Sequence, residues 1–93
     1  MFLIDYIKAQ LDLGVAYSHG FGVRQDDKQA LYWYRKAAEQ GNAEAQYNLG
    51  LMYEEGQGVS KNRKVAKEWY KKACDNGLQD GCNDYRKLNN EGH

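Results

Sequence analysis

The amino-acid sequence predicts an all-α solenoid of about two and a half helix-turn-helix repeats, with five helices in all. The first observation is an internal repeat, in which about 15 of about 33 positions are identical at an offset of about 36 residues. The two copies are AQLDLGVAYSHGFGVRQDDKQALYWYRKAAEQG and AQYNLGLMYEEGQGVSKNRKVAKEWYKKACDNG. The second is a composition without proline or threonine but rich in Ala, Glu, Lys, Gln and Leu, which favours helices.

The length of 93 residues suits one small domain that spans residues 1–93. We expect its first repeat at about 6–41, its second at about 42–77 and a C-terminal capping helix at about 78–91. The ten glycines include several at matched offsets in the two copies, so they mark the boundaries between helices.

The chain begins with an apolar run, Met1 to Ile4, which aligns with the end of a second helix. In this alignment the chain begins at the tail of a missing repeat, either because it is part of a longer array or because its first face is open and another chain covers it. In the second case its apolar residues would mediate self-association. Asp5 is expected to cap the first helix, which we predict from Tyr6 to about Ser18.

The first helix of each repeat carries small and apolar residues at helical spacing: Ala9, Leu13, Gly14 and Tyr17, then Ala45, Leu49, Gly50 and Tyr53. A glycine inside a helix costs about 1 kcal/mol relative to alanine. The recurrence of Gly14 as Gly50 therefore indicates a steric need, namely close approach of the neighbouring helix.

Glycine pairs separate the two helices of each repeat, as Gly20-Phe21-Gly22-Val23 and Gly56-Gln57-Gly58-Val59. Two glycines around one variable residue favour a turn with positive backbone angles. We expect the two valines to pack back into the core.

The second helix of each repeat begins after a good N-cap residue, Asp26 or Asn62, and ends at Gly41 or Gly77. Its apolar stripe is Ala30, Trp33 or Tyr34, and Ala37, which returns as Ala66, Trp69 or Tyr70, and Ala73. We expect the tryptophans to be structural, and Trp69 to be a large buried aromatic residue.

A third unit begins after Gly77 and then departs from the pattern. Arg86 and Asn89 stand where the second repeat has Gly50 and Tyr53. The helix is polar on most sides, with Asp80, Asn83, Asp84, Lys87, Asn90 and Glu91. It is typical of the capping element that ends a solenoid.

Charge and residue types exclude several functions. The formal net charge is zero, with 13 basic and 13 acidic residues, which gives no electrostatic reason to expect nucleic acid. The longest apolar run, Met1 to Ile4, is too short for a signal peptide's apolar core or for membrane insertion. A location in the cytoplasm is therefore compatible with the sequence, and so is a periplasmic or secreted location if a leader was removed. His19 and His93 are too few for a metal site, and we expect no metal or cofactor.

The motifs of the two copies, A-x-x-x-L-G-x-x-Y, G-x-G-V and A-x-x-W-Y-x-K-A with a closing glycine, resemble the Sel-one-like repeat (SLR) family, relatives of the tetratricopeptide repeats. The resemblance covers Ala9 to Gly77 and a degenerate third copy. It implies a right-handed superhelix of antiparallel helix pairs that serves as an adaptor or scaffold. It also implies a chiefly bacterial setting.

The tail KACDNGLQDGC resembles the cysteine-rich SLR subset of secreted bacterial proteins, in which cysteines about eight apart are bridged. The resemblance implies a disulfide between Cys74 and Cys82. The alternative is a buried, inert Cys74 with a reduced Cys82. Ala38 and Gln46 hold the equivalent positions one repeat earlier, so a full ladder of disulfides is missing.

The same subset implies a rival function, a secreted and disulfide-stapled protein that binds or weakly hydrolyses β-lactams. Neither Ser18 nor Ser60 begins the S-x-x-K motif of such a nucleophile. Glu54 and Glu55 are expected to form a solvated helix end rather than a catalytic pair. We therefore expect no catalytic residues and a non-enzymatic module for protein interaction. A narrower version is an immunity or effector-neutralising protein.

A partner peptide or helix is expected on the concave face, at the positions that differ between repeats. This predicted groove comprises Lys8, Leu11, Val15, Glu44, Tyr47, Leu51, Glu55, Asn83 and Lys87. Its centre is apolar and its flanks are charged, with Tyr47 as the anchor. The alternative is that Leu11, Val15 and Leu51 complete the core and that Tyr47 is ordinary surface.

Overall fold

The computed structural model describes the backbone of residues 2–92 and the side chains of residues 5–92. Within that part the chain forms five α-helices and no strand: α1 Phe2–His19, α2 Asp27–Glu39, α3 Ala43–Glu55, α4 Arg63–Asp75 and α5 Gln79–Asn90. Each helix packs mainly on the next one along the chain. The predicted all-α solenoid of five helices is confirmed. Across residues 2–92 there is no helix whose length and apolar character would let it cross a membrane.

The first helix is longer than predicted. It begins at Phe2 and continues through Asp5, so the predicted start near Tyr6 and the cap at Asp5 are wrong. Gly41, at the position equivalent to Asp5, follows α2 with a φ of +93°, a conformation that side chains with a Cβ rarely adopt. Asp5 stays helical, and its carboxylate lies in the first turn, where the helix dipole favours negative charge. The apolar side chains of residues 1–4 lie outside the described ones.

The glycine turns are confirmed, since Gly20, Gly22, Gly56 and Gly58 all have positive φ. The prediction for Val23 is wrong because its side chain is exposed. The two turns differ in what lies next to them. A Cβ on Gly58 would lie 2.8 Å from the Asp27 carbonyl oxygen, whereas nothing lies within 4 Å of the equivalent point at Gly22. The second turn therefore packs on α2, and the first has no neighbour of that kind.

Side-chain caps begin the second helices as predicted. Asp26 Oδ1 accepts from the Lys28 and Gln29 amides at 3.0 and 3.2 Å. Asn62 Oδ1 accepts from the Val65 amide at 3.1 Å. These contacts satisfy amide groups that have no partner within their own helix.

Tyrosine rather than tryptophan forms the centre of each repeat. Tyr34 and Tyr70 are 3% and 0% exposed, whereas the tryptophans beside them are only half-buried. The expectation that Trp69 is fully buried is wrong, because adjacent residues on a helix point in different directions. Trp69 packs at the edge of the core, with Lys72 Nζ 5.0 Å from its ring centroid.

The helical glycines accommodate these tyrosine rings. A Cβ on Gly14 would lie 2.5 Å from the Tyr34 ring, and a Cβ on Gly50 would collide with Tyr70 in the same way. The predicted close approach is therefore made by a ring of the second helix. This contact explains why glycine recurs inside the first helices despite its cost.

We expect Gly50→Ala to lower the free energy of unfolding by about 1–3 kcal/mol, because the added methyl group overpacks the Tyr70 ring. In an open helix the same change would raise it by about 1 kcal/mol. Urea denaturation followed by circular dichroism measures the effect. In a Tyr70→Leu background, where the ring is absent, the loss should shrink. A gain in stability in the otherwise unchanged protein would contradict the steric explanation.

Equivalent residues of the two first helices differ in exposure. Leu49 is fully buried because α2 covers α3, whereas Leu13 at the equivalent position of α1 is 38% exposed. Ala45 and Ala9 differ in the same way. Self-association through this first face stays a prediction.

The Cys74–Cys82 disulfide is present, with the two Cα atoms 4.5 Å apart. Among the described residues no cysteine is left free, so the alternative of two reduced thiols does not hold. The bridge joins the end of α4 to the start of α5. Beside it, a Cβ on Gly81 would lie 2.8 Å from the Tyr70 carbonyl oxygen, which shows how closely α5 approaches α4.

Candidate partner-binding groove

The residues of the predicted groove lie along α1, α3 and α5 and differ in their exposure. Five charged or polar members are exposed: Lys8, Glu44, Glu55, Asn83 and Lys87. Val15, Tyr47 and Leu51 are half-buried, and Leu11 is buried at 6%. The apolar residues therefore form the recessed part of this surface.

The aliphatic members of the groove also belong to the core. Leu11 is part of the first core cluster, and Val15 packs against it. Leu51 packs against the second cluster, around Tyr70 and Leu88. The interpretation that these residues complete a thin core is thus supported, most clearly for Leu11, and only their edges remain for a partner.

Two clefts lie between α1 and α3, and residues of the predicted groove line part of each. The larger, here called the α1–α3 cleft, has a volume of about 390 Å³ and is lined by Ser18, His19, Gln25, Tyr34, Asn48, Leu51, Met52, Glu55 and Gln57. The second has a volume of about 360 Å³ and is lined by Ile7, Lys8, Leu11, Gln40, Gly41, Asn42 and Glu44. Together the two clefts include five groove residues: Lys8, Leu11, Glu44, Leu51 and Glu55.

Tyr47 connects α3 to α5. Its ring centroid lies 5.4 Å from that of Tyr70, and its hydroxyl donates a 2.7 Å hydrogen bond to Asp84 Oδ2. Burial, followed by the hydrogen bond to this carboxylate, raises the pKa of Tyr47. A side chain that anchors a partner would have its hydroxyl free. The ring and the hydroxyl of Tyr47 instead contribute to the packing between helices.

A second phenol–carboxylate contact lies beside the first. The Tyr70 hydroxyl donates to Glu54 Oε1 at 2.6 Å, and burial together with this bond raises the pKa of Tyr70. The description of Glu54 as a solvated helix end is therefore wrong. The sequence does carry a signal for these two phenol–carboxylate contacts. Carboxylates stand at Glu54 and Asp84, whereas the equivalent positions one repeat earlier hold Ser18 and Asn48.

Side-chain amides also form hydrogen bonds near Gly41 and Gly77, where the second helices end, and these bonds were not predicted from the sequence. Gln40 Nε2 donates to Gln10 Oε1 at 2.6 Å, and Asn76 Nδ2 donates to Gln46 Oε1 at 2.9 Å. Gln46 Nε2 in turn donates to the Ala38 carbonyl at 3.0 Å. Gln10 and Gln46 are identical polar residues within an apolar stripe, which is the signal of a recurring structural contact.

Chemical groups for catalysis are sparse in this surface. Ser18 and His19 line the α1–α3 cleft, and burial raises the pKa of Tyr34, an effect that a hydrogen bond with Ser18 opposes. Across the described side chains, no group of three or more His, Cys, Asp or Glu residues is placed to hold a metal ion. Side-chain hydrogen bonding and apolar contact are what the surface offers a partner.

A solenoid of helix pairs with a grooved face defines the class of helical-repeat scaffold proteins. More particularly, the chain belongs to the Sel1 repeat family, which matches residues 7–42 and 43–78. Proteins of this family are helical-repeat modules that commonly mediate protein–protein interaction, and they are generally non-catalytic.

Solved structures agree with this assignment. The chain is 44% identical to a Sel1 repeat protein from Oxalobacter formigenes, with a TM-score of 0.90 over 92% of this chain and 35% of that one. It is 40% identical to c5321, a protective antigen of uropathogenic Escherichia coli strains, with a TM-score of 0.89 over 92% and 18% of the two chains. Thus it spans about a third or less of these two proteins.

A third similar structure is the cysteine-rich protein B of Helicobacter pylori. It is 32% identical, with a TM-score of 0.79 over 83% of this chain and 58% of that one. A search of curated protein sequences gave no match.

Proposed function

We propose that the chain is a non-enzymatic interaction module that binds a peptide or helix of a partner protein in the predicted groove. The observation that carries this proposal is the position of the two clefts, both between α1 and α3 and both lined by groove residues. Recessed apolar edges with a charged rim are the arrangement that peptide-binding grooves use. The family's common role in protein interaction supports the same function.

The charges around the groove favour a partner segment of mixed charge. Lys8 and Glu44 line one cleft, Glu55 borders the other, and Lys87 extends the face on α5. Both signs are present, and the whole chain has a formal net charge of zero. Such an arrangement selects the partner and its register more than it adds affinity.

A pair of charge reversals tests the groove. We expect Lys8→Glu combined with Glu55→Lys to reduce affinity for the partner by about tenfold, because two rim contacts become repulsive while the net charge is unchanged. The partner is identified by cross-linking and mass spectrometry with the unaltered chain as bait, and binding is then measured by calorimetry.

The matched control is Lys71→Glu combined with Glu39→Lys, two exposed residues on the second helices. It reverses the same charges away from the groove and should bind as the unaltered chain does. Equal losses in both double variants, or none in either, would contradict a partner site in the groove.

The disulfide is the observation that favours the second candidate, a secreted protein that binds or weakly hydrolyses β-lactams. Ser18 is a serine that lines a cleft, and Phe21 rather than lysine stands three residues after it. We expect intact-protein mass spectrometry after incubation with a labelled penicillin to show no added mass. Stoichiometric labelling of Ser18 would replace the interaction module with this function.

A further inference from the structure

One side of α1 is apolar and exposed. Tyr6, Ala9, Leu13 and Tyr17 follow each other at helical spacing and form this side, here called the α1 outer face. The first three are exposed, and the turn after α1 adds the exposed ring of Phe21. Exposed apolar residues that gather on one face indicate an interaction surface.

The second repeat shows what covers such a face. On α3 the equivalent residues include Ala45, Leu49 and Tyr53, and α2 packs on this helix. Leu31 of α2 packs against the core cluster that contains Ala45 and Leu49, both of which are fully buried. Arg35 Nη2 donates a 2.6 Å hydrogen bond to the Tyr53 hydroxyl.

The covering helix has a defined direction and a defined residue pattern. The start of α2 lies beside Gly58, in the turn after α3. Near the end of α2, the Ala38 carbonyl accepts from Gln46 at the start of α3, so the two helices are antiparallel. Leu31, Arg35 and Ala38 follow at i, i+4 and i+7 and share one side of α2.

The other second helix, α4, covers α5 with different residues. Lys67, Lys71 and Cys74 occupy the places of the leucine, the arginine and the alanine. Lys67 Nζ donates to Asn89 Oδ1 at 3.4 Å, and Cys74 is bridged to Cys82. Each second helix therefore carries residues that suit the face it covers.

The α1 outer face has the residue types of α3 and not those of α5. Four residues of α1 are identical to their equivalents on α3: Ala9, Gln10, Leu13 and Tyr17 stand where α3 has Ala45, Gln46, Leu49 and Tyr53. At the same positions α5 has Gly81, Cys82, Tyr85 and Asn89. The α1 outer face therefore suits a helix with the pattern of α2.

We propose that the α1 outer face docks an amphipathic helix of a partner protein, antiparallel to α1, with leucine, arginine and alanine at i, i+4 and i+7. The leucine and the alanine pack on Leu13 and Ala9, and the arginine donates to the Tyr17 hydroxyl. This surface has no residue in common with the predicted groove.

A second copy of the chain does not present such a helix. Its own Leu31 and Ala38 are packed against α3, and its Arg35 is bonded to Tyr53. At the other end of the array, α5 is polar on most sides. The occupant is therefore a helix of a different protein.

Two peptides of this chain serve as probes, both stapled on the side away from the stripe so that they stay helical. Residues 26–41 contain α2 with its N-cap, and residues 62–77, made with Cys74→Ser, contain α4 in the same way. The first peptide should produce saturable nuclear magnetic resonance shifts at the backbone amides of Ala9, Leu13 and Tyr17 in the ¹⁵N-labelled full chain. The second has the same length and the same Trp-Tyr pair but a different stripe, so it should bind about tenfold more weakly or less.

A double-mutant cycle tests the hydrogen bond. Arg35→Ala in the first peptide should weaken its binding to the unaltered chain about tenfold, the loss expected for one hydrogen bond from a charged donor. Tyr17→Phe removes the acceptor from the chain, so the two forms of the peptide should bind this variant within about twofold of each other.

A pair of chain variants tests the location. Leu13→Glu places a charge at the centre of the α1 outer face and should abolish the shifts. The matched control is Tyr32→Glu, which changes an exposed side chain of α2 and should leave the shifts unchanged. Circular dichroism checks that both variants are folded, and if Leu13→Glu is not, the comparison of the two peptides decides the question.

Equal binding of the two peptides, no shift with either of them, or undiminished binding by a folded Leu13→Glu variant would overturn this docking site. A dimer of the unaltered chain that Leu13→Glu dissociates in sedimentation experiments would also overturn it, because a second copy would then be the occupant. The groove function is tested separately by the charge reversals at Lys8 and Glu55, so either proposal can fail without the other.

Discussion

Tyr70→Ala is expected to lower the free energy of unfolding by about 3–5 kcal/mol, the cost of removing a large buried aromatic side chain. Tyr70 is 0% exposed, packs on Gly50 and Tyr47, and hydrogen-bonds Glu54, so three neighbours lose their contact together. A domain of this size has a total stability of roughly 5–14 kcal/mol. Thermal and urea unfolding measure the loss, and each kcal/mol corresponds to about 4–8 °C in Tm.

Two control variants separate burial from hydrogen bonding. Tyr70→Phe keeps the ring and removes only the bond to Glu54, so it should cost about 1 kcal/mol. Tyr32→Ala removes an aromatic side chain of the same type that is 52% exposed, and it should change stability by less than about 0.5 kcal/mol. An unchanged Tm in Tyr70→Ala would show that the core of the second repeat is centred elsewhere.

The repeat architecture was predictable because its determinants are local. Three features each follow from one residue and its neighbours in the chain: the positive φ at Gly56, the side-chain cap at Asn62 and the end of the second helix before Gly77. The choice between Trp69 and Tyr70 was not local. Both lie near the same apolar stripe, and which of them is buried depends on how the other helices pack against α4.

The groove shows the same division between local and distant determinants. The register of its residues on the first helices was predictable, and two clefts lie between α1 and α3, but the groove itself stays a prediction. The role of Tyr47 was not predictable, because its hydroxyl contacts Asp84, 37 positions away. The exposure of Leu13 also depends on which helices flank α1, whereas its copy Leu49 is covered by α2.

Reduction of the Cys74–Cys82 bridge is the second large expected effect. Chain-entropy arguments for a bridge of sequence separation 8 give a loss of about 2–3 kcal/mol in the free energy of unfolding. The bridge joins α5 to α4, and the other contacts of α5 include the packing of Leu88 and Tyr85, the close approach at Gly81 and the Asp84–Tyr47 hydrogen bond. The loss should therefore be concentrated in α5, with faster hydrogen exchange of its amides in the presence of a reductant.

The chain itself offers the matched control for this experiment. At the preceding repeat boundary, Ala38 and Gln46 occupy the positions of the two cysteines, and Gln46 Nε2 donates to the Ala38 carbonyl at 3.0 Å. Cys74→Ala combined with Cys82→Gln should restore that hydrogen bond between α4 and α5 and make stability independent of reductant. An equal response to reductant in both proteins would contradict a structural bridge. Because one boundary uses a hydrogen bond and the next a covalent bond, only the second makes the packing of α5 depend on redox conditions.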